Sequence, residues 1–430
     1  MLRLTSRTKV AVRVSALAVA GALALASCAE DSSTGSPNSG DGEGVEFGAS
    51  MEDYQAAFED VDPIELSTQT PAPQGSVTGR RFENYVAAVE EWSGGKITFD
   101  IQYANAVAGP TEIDNALNDG RLDIGSTLPL YEPAEYPASD ALVSATIVGP
   151  QTPIVGFMAL HGTLIQVGVN TDEIYQEFED AGMHMLFPAF TSGASALMCG
   201  GEARTSLDDL AGAQISAGSK TLTAQVSELG ATPVTVDFTE LFESLQRGAV
   251  DCAGSSLLVG SLGGFLPAAQ HVVLDPEVGL GQAPGAYAMS LDTWESLPLV
   301  AQQLIHDRLD GFLNDTFHST WESIQVASAE IGDADGEIQP LEADARAELQ
   351  TINDGLLEEL RDTSAVADGS AFVDLILESN ENWVGVAEEL GYTDEVDYNG
   401  FAEWYSEDKV DVSAYVERLF ADALNERRPG

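Results

Sequence analysis

SLDDLAGAQISAGSKTLTAQVSELGATPVTVDFTELFESLQRGAVDCAGSS, residues 206–256, has the grammar of a repeating α/β unit. A short apolar run at 213–217 fits a strand, a Gly-Ser turn follows, and a helix ends at Gly230. A second strand at 233–236 leads into another helix and then a strand at 249–253. The second helix carries clear end signals. Asp237 is placed to cap it, Glu240 sits three residues on as a reciprocal partner, and Gly248 supplies a left-handed stop. Strands alternating with helices predict an α/β fold on a mainly parallel sheet, which takes ligands at the carboxyl ends of its strands.

Part of this unit recurs upstream. ALNDGRLDIG at 116–125 and SLQRGAVDCA at 244–253 share a helix end, a Gly stop and an apolar-Asp strand start at identical spacing. Glycine takes positive φ where a helix hands directly to a strand, so the shared Gly has a mechanical reason. Two similarly wound lobes are the expectation; chance is the competing reading, because helix-Gly-strand junctions are common.

The first residues bear on destination. Arg3, Arg7, Lys9 and Arg13 precede or open an apolar run at 14–25 that ends Leu25-Ala26-Ser27-Cys28. A basic start, a short apolar core and small residues before a cysteine make a secretory signal, and the run is short for a membrane span. Leu-Ala-Ser-Cys resembles the bacterial lipobox, which implies cleavage before Cys28 and lipid on its sulfur. An ordinary signal with a chance cysteine is the alternative. Residues 29–61 are expected to form a flexible tether, the stretch to 50 being rich in Ser, Gly, Asp and Glu.

Loss of the signal leaves fourteen Lys and Arg against seventy Asp and Glu, a formal charge of −56. Such a surface repels nucleic acid and anionic headgroups, which argues against both as partners. With Cys28 lipidated, Cys199 and Cys252 remain as an even pair in an oxidising compartment. A disulfide between them is expected if their strands are neighbours; two buried thiols are the alternative.

In order, 64–69 is expected as the first strand, followed by a helix whose Phe82, Tyr85, Val86 and Val89 recur at helical spacing, then a strand at 97–101. Ser93-Gly94-Gly95-Lys96 is no phosphate loop, since it ends a helix and lacks the upstream Gly and the hydroxyl after Lys. A strand at 122–126 leads to Tyr131-Glu132-Pro133, and 142–148, 185–190 and 194–198 are strand-like, while 160–167 is ambiguous. Long helices are expected at 299–331, 344–360 and 372–390, bracing both lobes.

The chemistry is mostly an inventory of absences. His161, His184, His271, His306 and His318 lack metal spacing, with no HExxH and no CxxC, so no metal or cofactor is implied. Gly193-Ala-Ser195-Ala-Leu and Gly254-Ser-Ser256-Leu-Leu each miss the closing glycine of a nucleophile elbow. An exported two-lobed protein without a reactive constellation is most economically a ligand receptor and not an enzyme.

Leu207-Asp-Asp-Leu-Ala-Gly212, Leu229-Gly-Ala-Thr-Pro-Val234, the run from Phe238 to Asp251 and Asp292-Thr-Trp294-Glu-Ser-Leu-Pro298 resemble the solute-binding proteins of TRAP (tripartite ATP-independent periplasmic) transporters, dicarboxylate-binding family. Residues 90–96, 112–123 and Tyr131-Glu132-Pro133 resemble the first lobe of those proteins. The resemblance implies a two-lobed periplasmic-binding-protein-like (type II) fold with a hinge and long C-terminal helices. It also implies closure around an organic acid and hand-over to TRAP membrane permease subunits. On it, lobe 1 is expected at 62–190 with a return segment at 282–300, lobe 2 at 191–281, and a helical region at 301–430.

The departures from the family concern its anchor. The strand that usually presents a carboxylate-binding arginine reads Gly212-Ala-Gln-Ile-Ser216-Ala-Gly218, so Ser216 stands in its place or the arginine is deleted. A second basic position falls near Ser195, with no Lys or Arg between Arg121 and Arg204, and the family's Asn falls at Ser255. Phe238 matches an aromatic that lines the family's cleft. A carboxylate therefore needs another cation. Lys220, at a helix start on the carboxyl edge, is the first candidate, and Arg80 and Arg81, opening the first long helix, are the second. The other reading is a neutral, zwitterionic or cationic solute held by Ser216, Ser255, Phe238 and Tyr131. An ATP-driven uptake system, a sensor, a secreted enzyme and a purely structural surface lipoprotein are the remaining alternatives.

Overall fold

The computed structural model describes residues 44–430; the expected signal segment, Cys28 and the first part of the expected tether lie outside them. Eleven strands follow in chain order among the described residues. They are β1 (Ile64–Gln69), β2 (Ile97–Gln102), β3 (Ile124–Thr127), β4 (Met183–Phe190), β5 (Ser195–Cys199) and β6 (Gln214–Ser216). The rest are β7 (Thr232–Val234), β8 (Cys252–Ser256), β9 (His271–Val273), β10 (Gly285–Ser290) and β11 (Ile338–Gln339). They form two sheets, ordered β2-β1-β3-β10-β4 and β11-β9-β5-β8-β6-β7.

Each sheet is mixed. Five pairings are parallel and four antiparallel, which corrects the expectation of a mainly parallel sheet. The antiparallel pairs arise because the chain changes sheets three times, and the first two changes reverse strand direction. It leaves the first sheet after β4 through 191–194 to enter β5, and returns from β9 through 274–284 to enter β10. β10 inserts between β3 and β4 and β5 between β9 and β8, each antiparallel to both neighbours, whereas β11, the third arrival, lies parallel beside β9.

The repeat seen in the sequence extends to hydrogen bonds. Gly120 and Gly248 both take positive φ, +75° and +66°, and four residues after each a strand begins. The NH groups of Arg121 and Leu122 donate to Ala116 O, as those of Ala249 and Val250 donate to Ser244 O. Asp123 Oδ2 then accepts from Ser67 N at 2.7 Å, and Asp251 Oδ2 accepts from Gln214 N at 2.8 Å. In both lobes the aspartate, just before its own strand, satisfies a backbone donor of the adjacent parallel strand, which gives the apolar-Asp signature its physical role.

Helices cover the sheets. Arg80–Trp92 turns Phe82, Tyr85, Val86 and Val89 inward, as their spacing predicts. The ambiguous 160–167 lies within a buried helix, Val155–Val169, which is apolar all round and therefore shows no periodicity. Residues 142–148, expected as a strand, instead end the helix Pro137–Val143 and form a 3-10 turn, Ser144–Ile147. An apolar run of that length serves equally as a buried helix segment. The long C-terminal helices are Leu299–Asp307, Leu309–Asp333, Ala343–Leu360 and Gly369–Glu389. Ala345, Leu349 and Ile352 join the core beside the second sheet, while Leu357 and Leu360 pack against the core beside the first. One helix thus packs on both cores.

The expected tether is too long. Met51–Ala57 is a helix closed by a Ser50/Asp53 capping box, with Tyr54 and Phe58 buried. Tyr54 is tied to the C-terminal segment through Asp307, whose carboxylate accepts from the Tyr54 hydroxyl at 2.6 Å and from Arg428 Nε and Nη2 at 2.8 and 3.0 Å. Burial alone raises the Asp307 pKa, but bonds from His306, Arg428 and Tyr54 outweigh it and hold the carboxyl below its ordinary range. A depressed folded pKa contributes stability above the unfolded value, lost as pH falls through the folded one. Arg428→Ala is expected to leave this carboxylate underpaired, costing roughly 3 kcal/mol, and to move the onset of acid unfolding to higher pH. Thermal melts across acid pH check both effects.

Candidate functional site

A cavity of about 140 Å³ lies where the two sheets approach, walled by residues of both and by the two crossing segments. Thr191 and Gln282, one from each crossing, are joined side chain to side chain, and Gln282 N donates to Thr146 Oγ1 at 3.0 Å. His161 fixes the first crossing. Its Nε2 accepts Thr191 N–H at 3.2 Å while Nδ1 faces Phe157 O at 3.1 Å, and burial pushes its pKa down to about 4, so the ring is neutral. The histidine therefore works as a buried structural group behind the first crossing.

Arg81 is the only charged residue lining this cavity among the described residues. It is the second residue of Arg80–Trp92, 6% exposed, and its guanidinium lies 4.8 Å from the Phe190 ring centroid, 5.0 Å from Phe82 and 6.0 Å from Phe312. Nε and Nη1 are buried with no hydrogen-bond partner, and no carboxylate of the described residues pairs with it. Burial lowers its pKa to about 10, with Tyr287 nearby opposing the shift. Cation–π contacts recover part of the desolvation cost, but they leave the fork of donors without an acceptor. A carboxylate is the group whose two oxygens match that fork.

The remaining sequence candidates divide. Tyr131, Ser195, Phe238 and Ser255 join Arg81 in the wall. Tyr131 comes from the 3-10 turn Pro129–Tyr131, and burial raises its pKa to about 12. Phe238 comes from the turn Phe238–Glu240, which Asp237 caps as expected. Ser195 and Ser255 sit at the adjoining ends of β5 and β8, where Ser195 Oγ is already used on Gly281 O at 3.0 Å.

Three candidates lie elsewhere. Lys220 does not line the cavity: its ammonium pairs with Asp140 at 2.8 Å and its side chain is 61% exposed, because it points away from the cleft at the helix start whose Ser219 does line it. Such a pair contributes at most about 1 kcal/mol. Arg80 turns to the opposite side of its helix from Arg81 and pairs with Glu322 at 2.8 Å and Glu407 at 3.3 Å. Ser216 is buried within β6, its hydroxyl accepting from Gly254 N at 3.1 Å.

The sequence reading missed the apolar wall. Phe190 at the end of β4, Leu258 and Leu262 of the helix Leu257–Leu262, and the crossing residues Ser192, Gly193 and Gln282 all line the cavity. Gln282-Ala-Pro-Gly285, turn residues placed directly before a strand, was the available signal for the second crossing.

The model of the bacterial extracellular solute-binding proteins, family 7, matches residues 68–363, which contain both sheets apart from the start of β1. The chain belongs to this family. Its members include the TRAP-type receptors that the sequence resembles, and its fold is the two-lobed one expected; they are transport proteins and not enzymes. A curated solute-binding protein of Albidiferax ferrireducens is 22% identical over 222 residues, 48% of this chain and 60% of that relative. The match thus spans less than two thirds of the relative's length. Among solved structures, a TRAP solute-binding protein from Rhodoferax ferrireducens in complex with copurified benzoate superposes with TM-score 0.65 at 17% identity, covering 75% of this chain and 99% of its own. The sugar acid binding protein of Advenella mimigardefordensis in complex with galactonate gives 0.63 at 15% identity, covering 75% and 100%. At these identities the likeness concerns the fold of this family 7 protein.

Proposed function

We propose that this family 7 protein is the extracytoplasmic receptor of a TRAP-type transporter, which captures an organic carboxylate in the cavity between its sheets and delivers it to membrane permease subunits. The observation that carries this reading is Arg81, a buried guanidinium without a counter-ion in the wall of a cavity that both lobes build. The solved relatives that hold benzoate and galactonate support an acid as the ligand class. A cationic solute is disfavoured, since no Asp or Glu lines the cavity among the described residues. Tyr131, Phe238 and Ser255 complete the proposed contact set, with Ser195 in the wall but its hydroxyl turned to Gly281 O. Export and lipid attachment at Cys28, which tether the receptor to the outer face of the membrane, belong to the same proposal and rest on residues 14–28.

A thermal-shift screen of the mature domain tests the receptor reading. A ligand that binds only the folded state adds RT ln(1 + [L]/Kd), about 4 kcal/mol at a thousandfold excess over Kd. Organic acids are expected to raise Tm while matched amides and amines do not. A shift by amines or amides alone contradicts the reading.

A further inference from the structure

We infer that the solute is a monocarboxylic acid with an apolar body about the size of one six-membered ring. This rests on the reading of the cavity as the solute site, and three features of the wall carry it.

The first is charge. Arg81 provides for one carboxylate, and no second Lys, Arg or His lines the cavity among the described residues. A second carboxylate would lose its hydration with no cation to meet it, inside a chain of formal charge −52. The second feature is size. A cavity of about 140 Å³ matches the engineered apolar cavity of about 150 Å³ that holds benzene. Leu128, Leu130, Phe190, Phe238, Leu258 and Leu262 give it apolar walls suited to such a body.

The third feature is that most polar groups in the wall are already used. Ser195 Oγ donates to Gly281 O, and the Ser192 and Ser256 hydroxyls bond each other at 2.8 Å. Ser219 Oγ caps its helix by accepting from Leu222 N, and Gln282 is held by Thr191, Gln151 and Thr146. The Ser126, Ser255 and Tyr131 hydroxyls and one end of Asn105 remain for a ligand. A sugar acid carries a hydroxyl on nearly every carbon, and each would be buried with too few partners; an acid with none or one would not. The geometry therefore favours the chemistry of benzoate over that of galactonate, although relatives of the same fold bind each.

Isothermal titration of the mature wild-type domain separates the possibilities with benzoate, cyclohexanecarboxylate, terephthalate, galactonate and benzamide. Benzoate and cyclohexanecarboxylate are expected to bind, with terephthalate and galactonate weaker by about thirtyfold or more and benzamide silent. Binding of terephthalate or galactonate as tight as that of benzoate overturns the inference and leaves the receptor reading standing. Failure of all four acids overturns the inference, and if the wider acid screen is also silent the receptor reading falls with it.

Discussion

Arg81→Met is expected to weaken binding of organic acids by about 30-fold to several thousandfold, because truncating one partner of a buried charge pair costs about 2–5 kcal/mol. The same substitution is expected to raise the Tm of the unliganded protein. Without a ligand, burial has lowered the Arg81 pKa to about 10, which marks a desolvation cost on the order of 3 kcal/mol that an apolar side chain of similar length does not carry. A mutation that stabilises the fold while abolishing ligand binding distinguishes an anchor from a packing residue, whose loss lowers Tm. The charged form is required for binding, so affinity is also expected to fall as pH passes about 10. Lys220→Ala, by contrast, should leave affinity within about threefold, since it removes only a half-exposed ion pair with Asp140. Melts and titrations of the two variants side by side check these outcomes; retained acid binding by Arg81→Met contradicts them.

The second large effect concerns the disulfide. Cys199 and Cys252 stand directly opposite on β5 and β8 and are bonded, as the even cysteine count suggested. The bond closes a segment of 53 residues that includes β6 and β7, two of the six strands of the second sheet, and the helices among them. Cross-linking a loop of that length stabilises the fold by about 4 kcal/mol in the chain-entropy model. For a body of this size, that is a fall in Tm of roughly 5 °C on replacing both cysteines with alanine. The β5–β8 ladder still sets Ser195 against Ser256 without the bond, so acid affinity is expected to change little. An unchanged Tm in the double variant contradicts the assignment of stability to this cross-link.

Local signals in the sequence were sufficient for most elements. Gly120, Gly248 and the aspartates three residues after them specified two matching helix-to-strand junctions, down to the shared backbone bonds. Buried segments were harder, since 142–148 and 160–167 are apolar on every side and periodicity cannot then separate strand from helix. Strand direction was also hidden, because the three sheet changes are decided by which core each strand joins and not by any residue within the strand. For the site, position along the chain favoured Lys220, yet helical phase favours Arg81. Arg81, Tyr85 and Val89 lie four apart on one face, which turns inward, while Arg80 lies in phase with Asn84 and pairs outward. What no spacing could supply is the absence of a counter-ion, which depends on side chains brought from β4 and from Leu309–Asp333.

A crystal structure of the mature protein grown with benzoate tests the central claim most directly. The expected result is the carboxylate in the cavity between the sheets, its two oxygens about 2.7–2.9 Å from two nitrogens of Arg81, and the ring against Phe190 and Phe238. A carboxylate held by Lys220 or another cation, or an Arg81 paired with a protein carboxylate in the liganded state, would contradict it.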